Sequence, residues 1–129
     1  MKKSKPPKPT DAELAILRVL WGRGPSTVRE VWEQLSPKQR TGYTTVLKLM
    51  QIMVEKGLLA RDETDRSHVY RAARSETQTQ RQVLGHLLER LFAGSASNLV
   101  MQALAARKAT PAELAEIRKL LDEMEGGPR

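Results

Sequence analysis

Near the start of the chain, apolar residues recur at three- and four-residue intervals in three successive blocks, the pattern of helices with one buried side. In the first block, Leu14, Leu17 and Trp21 share helical spacing, with Ile16 and Leu20 alongside. Thr10-Asp11-Ala12-Glu13 precedes it as a capping box, in which the Thr hydroxyl takes a backbone N–H and the Glu13 carboxylate reaches back. Gly22-Arg23-Gly24-Pro25 is expected to end this helix. Ser26 is expected to cap a short second helix, Thr27 to Leu35, with Val28, Val31, Trp32 and Leu35 on its buried side and Ser36-Pro37 as its stop. The third helix is predicted from about Tyr43 to Lys56. Its stripe is Val46, Leu49, Met50, Met53 and Val54, and Gly57 stands where a left-handed cap residue belongs.

Two short extended runs follow, Leu58-Leu59-Ala60-Arg61 and His68-Val69-Tyr70-Arg71, joined by the polar stretch 62–67. They read as a hairpin. The remainder is helical again. Ser75 or Thr77 can cap a helix carrying Leu84, Leu87, Leu88 and Leu91, which Gly94-Ser95 breaks. Ser95 or Ser97 opens another with Leu99, Val100 and Leu104. Thr110-Pro111-Ala112-Glu113 is a second capping box before Leu114, Ile117 and Leu121. The fold class is therefore mainly α with a small β-hairpin wing. A winged helix-turn-helix domain occupies residues 10–74 and a helical dimerisation segment residues 75–126. Helices of this length cannot bury much apolar surface alone, so their leucines are expected to meet a second copy of the chain. Residues 1–9, rich in Lys and Pro, are expected to be a disordered basic tail.

Charge sharpens this division. The 129 residues carry a net charge of +7, and residues 1–74 hold 15 Lys and Arg against 8 Asp and Glu, whereas residues 75–129 balance at 7 each. The whole excess lies in the first part, which points to a polyanion, nucleic acid being the commonest. In a helix-turn-helix the second helix of the motif enters the major groove. Here that is the third helix, whose non-core side shows Tyr43, Thr44, Thr45 and Lys48, then Gln51 and Ile52. Hydroxyls, a methyl and an ammonium suit base edges and phosphates. Lys38 and Arg40 before the helix, with Arg66, Ser67 and His68 in the hairpin loop, suit phosphate positioning.

Other functions find little support. There is no cysteine, hence no disulfide, thiolate metal site or thiol nucleophile, and the compartment is expected to be the reducing cytoplasm. His68 and His86, the only histidines, fall in different parts of the chain, and neither a Gly-rich phosphate loop nor a Gly-x-Ser-x-Gly motif is present. The chain is expected to be no enzyme and to need no cofactor or metal. No run of about 18 apolar residues exists, so no membrane insertion is expected. Two other readings are a winged-helix protein-interaction adaptor and a regulator gated by a small ligand.

The residues already quoted carry a family resemblance. Residues 10–17, Leu20-Trp21, Tyr43-Thr44-Thr45-Val46-Leu47 and Glu55-Lys56-Gly57-Leu58-Leu59 resemble the penicillinase repressor (BlaI/MecI/CopY) family. Leu91-Phe92-Ala93-Gly94-Ser95 and residues 112–117 are similar to its carboxy-terminal segment, so the likeness spans roughly residues 10–124. It implies a homodimeric winged-helix repressor whose carboxy-terminal helices interlock. Each subunit would place Thr44, Thr45 and Lys48 in one half of a palindromic operator, with wing residues on the backbone. It also implies β-lactamase, other resistance or copper genes as targets, and inactivation by proteolysis linked to a membrane sensor. Three departures stand out. The copper branch uses carboxy-terminal cysteines, which are missing here. Residues 99–104 lack the Asn-Phe pair cut in staphylococcal-type members, and Ile52 stands where relatives often carry Arg.

Overall fold

The computed structural model describes residues 8–126, apart from the side chains of Lys38 and Gln39. Of the basic tail, residues 1–7 lie outside the described residues, and Pro9 is buried. The elements are α1 (Asp11–Arg23), α2 (Val28–Gln39), α3 (Tyr43–Lys56), β1 (Leu59–Asp62), β2 (Val69–Ala72), α4 (Glu76–Arg90), α5 (Ala96–Ala106) and α6 (Pro111–Glu125). The chain forms two compact units that divide between Leu84 and Gly85, within α4.

In the first unit, α1, α2, α3 and the hairpin enclose one core. Its fully buried side chains are Ile16, Leu17, Val31, Val46, Met50, Met53 and Tyr70. The buried row of α1 is Glu13, Ile16, Leu17 and Leu20, spaced i, i+3, i+4, i+7, while Leu14 and Trp21 are half-buried at its border. The expected row of Leu14, Leu17 and Trp21 is thus turned about the axis. The reason is that a glutamate occupies the first buried position. Trp21 keeps one polar end satisfied, its indole N–H donating to the Arg74 carbonyl at 3.0 Å.

Three further expectations change. Ser26 does not cap α2. Thr27 does, in a full capping box with Glu30, because Ser26 is buried and paired with Tyr70: each backbone N–H donates to the other's carbonyl, at 2.9 and 2.8 Å. That bridge attaches the turn between α1 and α2 to the edge of β2 as a third, single-residue strand. Nor does Pro37 stop α2. Proline lacks the N–H and crowds the carbonyl four residues back, but Pro37 lies in the last turn of α2, and the helix runs on to Gln39 and ends where Arg40 turns left-handed at φ 50°. The strands begin one residue later than predicted and pair antiparallel, Leu59 with Ala72 and Asp62 with Val69.

Gly57 closes α3 as expected. At φ 85° it takes the left-handed conformation, its N–H donates to Val54, and the Leu58 N–H donates back to Met53 at 2.9 Å. Met53 and Leu58 are both buried, the apolar contact that accompanies such an end. Beside it, the Lys56 ammonium donates to the buried Glu13 carboxylate at 2.6 Å, joining the end of α3 to the start of α1.

The second unit is all helical. Ser95 caps α5 and Thr110–Glu113 forms the capping box of α6. Neither helix has a buried residue. Ala93 and Gly94 take left-handed conformations in the turn after α4.

Burial alone would raise the Glu13 carboxyl, but the hydrogen bond and charge of Lys56 and the hydrogen bonds of Thr10 outweigh it and hold the group below its usual 4.5. Folding thus favours the ionised form. The contribution is complete above that value and is lost as acid protonates the folded carboxylate below it. Glu13→Gln keeps the capping box and removes the charge. It is expected to lower stability at neutral pH by about 1–3 kcal/mol. Denaturant melts of the two proteins should converge as the pH falls toward 3; a gap that does not change with pH would assign the effect to packing.

Candidate nucleic-acid interface

The burial of α3 on one side sets what the other side shows. Val46, Met50 and Met53 are wholly enclosed, and at 100° per residue this turns Tyr43, Thr44, Thr45, Lys48 and Gln51 outward, all exposed. Ile52 is half-buried at the margin. The exposed row is thus polar, apart from the ring of Tyr43.

The turn that delivers α3 is held by an aromatic residue of the preceding helix. Trp32 donates its indole N–H to the Thr41 carbonyl at 2.8 Å, two residues before α3 begins. The Tyr43 ring stands edge-on to the Trp32 ring, at 5.9 Å and 84°. The Arg29 guanidinium lies 5.8 Å from both ring centres. This cluster connects α2, the turn and the first residue of the exposed row of α3. Arg40, the left-handed residue of the same turn, is exposed. Lys38 lies in the last turn of α2, and its side chain is outside the described residues.

The wing begins with Asp62, whose carboxylate accepts from the hydroxyl and the backbone N–H of Thr64; both contacts, and the Arg71 charge, hold it below its usual 3.8. Beyond that turn, Arg66, Ser67 and His68 are exposed. They meet α2 and α3 across a groove of about 360 Å³, lined by Arg29 from α2, Tyr43 and Leu47 from α3, and Arg66, Ser67 and His68 from the wing. Among the described residues, no acidic side chain lines it. The structure therefore brings Tyr43, Arg66, Ser67 and His68 into one concavity. Thr44, Thr45, Lys48 and Arg40 lie outside that groove.

Arg29 is the residue that the sequence reading passed over. It stands three positions before Trp32 and four before Glu33, so a helical α2 puts all three on one side. Its ion pair with Glu33 is long, 3.8 Å between exposed side chains, and contributes little.

The residues expected to pair two copies are largely uncovered. Leu84, Leu87, Leu91, Val100, Leu104 and Leu121 are exposed, with Leu91 68% accessible, while Leu88, Leu99, Leu114 and Ile117 are half-buried. Met101, Leu120 and Met124 are exposed as well. So much apolar surface on so small a unit is the mark of an interaction surface.

Comparison with known proteins agrees with this outline. Residues 9–123 match the family described as penicillinase repressor. The chain is similar to the transcriptional regulator BlaI of Mycobacterium tuberculosis, 31% identical over 120 residues that span 91% of this chain and 85% of that one. It is also similar to the penicillinase repressor of Bacillus licheniformis, 24% identical over 117 residues and 91% of each chain. Two solved structures resemble the first part. One is the DNA-binding domain of the repressor BlaI, with TM-score 0.51 and 27% identity over 58% of this chain and 92% of that one. The other is Bacillus licheniformis BlaI in monomeric form in complex with the blaP half-operator, with TM-score 0.50 and 27% identity over 57% and 89%.

The Trp32 hydrogen bond yields a test. Trp32→Phe keeps an aromatic ring and deletes the donor to Thr41, so the variant is expected to lose about 1 kcal/mol. Amide exchange at Val46, whose N–H donates to the Gly42 carbonyl in that turn, should quicken. A melting temperature and exchange rates equal to those of the parent would show that the turn holds without this bond.

Proposed function

The chain belongs to the penicillinase repressor family, a DNA-binding family of transcriptional repressors and not of enzymes, and we propose that it works as a homodimer on a palindromic operator. In this reading residues 10–74 bind the DNA and residues 75–126 join the two copies. The mechanism is steric, since an operator occupied across a promoter excludes polymerase. Genes for β-lactamase or another resistance or stress function are the targets that fit the family, and the cytoplasm is where it would act. Among the described residues, no helix is long and apolar enough to cross a membrane.

The observation that carries the reading is the exposed row of Thr44, Thr45, Lys48 and Gln51 opposite a fully buried stripe. A helix held so firmly on one side presents the other at a fixed rotation, as reading base edges requires. Thr44 and Thr45 offer hydroxyls and methyls, and Lys48 offers a donor for guanine or a phosphate. Arg40, Arg66, Ser67 and His68, with Lys38, are the phosphate contacts in this reading, and the +7 of residues 1–74 supplies the general attraction. An adaptor would show an apolar or acidic face here, and this one is neither.

Lys48→Ala is expected to weaken operator binding by roughly 1–3 kcal/mol if the ammonium bonds a base edge. An equal loss on random DNA would make Lys48 a phosphate contact. Salt-insensitive retention on heparin, together with no shift of the protein's own upstream DNA, would sink the reading.

The dimer has its own measurement. At micromolar concentration the full chain should sediment at twice its 14.5 kDa, and Leu121→Glu should return it to the monomer mass. A parent protein that sediments as a stable monomer would reject the pairing while leaving the DNA-binding unit as proposed.

A further inference from the structure

We propose that the groove between α2, α3 and the wing seats one phosphate of the DNA backbone, gripped jointly by Arg29 and Arg66. Arg29 is then a DNA-positioning residue. The inference rests on the DNA-binding reading and adds to it a site and a residue that the recognition face does not include.

Three observations converge. The groove, about 360 Å³, is lined by Arg29 of α2 and by Arg66, Ser67 and His68 of the wing, with no acidic side chain among the described residues. Two guanidiniums across one concavity repel each other, and an anion between them removes that cost. A guanidinium also matches the planar, two-point geometry of a phosphate better than an ammonium does.

Arg29 is also held before anything binds. Its guanidinium sits 5.8 Å from the centres of both Trp32 and Tyr43, and Trp32 is itself tied to the Thr41 carbonyl. Stacked beside two rings, the side chain gives up rotamer freedom in advance, so less is lost on binding. Its donors remain accessible, because the side chain is 67% exposed and its partner Glu33 is 3.8 Å away. A phosphate oxygen at hydrogen-bond distance displaces so long and solvated a pair easily.

The third observation is where the groove lies. Tyr43 both lines it and opens the exposed row of α3. A phosphate seated there belongs to a strand that flanks the bases facing Thr44 and Lys48. The site thus sets the register of α3 along the duplex without reading a base.

The test is DNA affinity as a function of salt for the full-length protein. Arg29→Ala is expected to weaken binding equally on operator and random DNA and to lower the slope of log K against log salt by no more than one phosphate's worth, ~0.9, since Arg66 still faces that phosphate. Arg29→Lys, which keeps the charge, should restore the slope but not the full affinity. In the double variant with Arg66→Ala, the combined loss should be smaller than the two single losses added, because both grip the same phosphate. Arg29→Gln, checked by its melting curve, serves in place of alanine should that variant fold poorly. An unchanged slope in both variants would overturn the proposal, and strictly additive losses would overturn the shared phosphate. If Lys48→Ala still impairs operator binding in either case, only this inference fails. If the parent protein binds DNA without salt dependence, the functional reading fails with it.

Discussion

α3, the recognition helix in the proposed reading, is held from one side only. Val46, Met50 and Met53 have no accessible surface, so α3 cannot rotate without opening the core. Its ends are fixed separately. At the start, the Trp32 bond to Thr41 anchors the incoming turn; at the finish, the left-handed Gly57 and the Lys56–Glu13 contact stop the helix and tie it to α1. Each link is modest alone, of the order of 1 kcal/mol. Together they leave the outward row no freedom except that of its own side chains, and discrimination between base pairs depends on that economy of motion.

The wing is fastened by the same logic. A two-stranded hairpin is marginal in isolation. Here β2 gains a further backbone pair from Ser26 and sinks Tyr70 into the core, so the hairpin is anchored to the helices through its second strand. The loop carrying Arg66, Ser67 and His68 can then be polar and exposed throughout, because nothing in it has to hold the wing in place.

What the sequence made legible follows from this. Local signals sufficed where the determinants are local: the capping boxes at Thr10 and Thr110, the stripe of α3, and Gly57. They failed where tertiary contacts decided. Hydrophobicity named Ile16, Leu17 and Leu20 in α1 but not the start of the buried row, because that position is Glu13, a carboxylate paired with Lys56 and Thr10. Ser26 and Thr27 are equally good caps on paper, and the choice was made by Tyr70 far along the chain. No local signal separates Arg29 from other exposed bases on a helix. Its aromatic setting depends on how the turn after α2 folds back, which no spacing rule contains. The face of Thr44, Thr45 and Lys48 was readable because it is simply the complement of a readable stripe.

The second unit obeys a different balance. α5 and α6 bury no residue within the chain, although α6 opens with a capping box like those of α1 and α2 and Ser95 caps α5. Caps set where a helix starts and stops, but the stability of short helices comes from packing. Exposed leucines on well-capped helices therefore describe a structure that is ready to pair and weakly stable until it does. Such a design suits the proposed homodimer, in which each copy takes one half of the operator. Joining two weak units turns the second contact into an intramolecular one at high effective concentration, so operator affinity rises steeply with pairing while each unit alone remains easy to displace. In the proposed homodimer, occupancy of the operator is governed as much by the charge-balanced second part of the chain as by the basic first part.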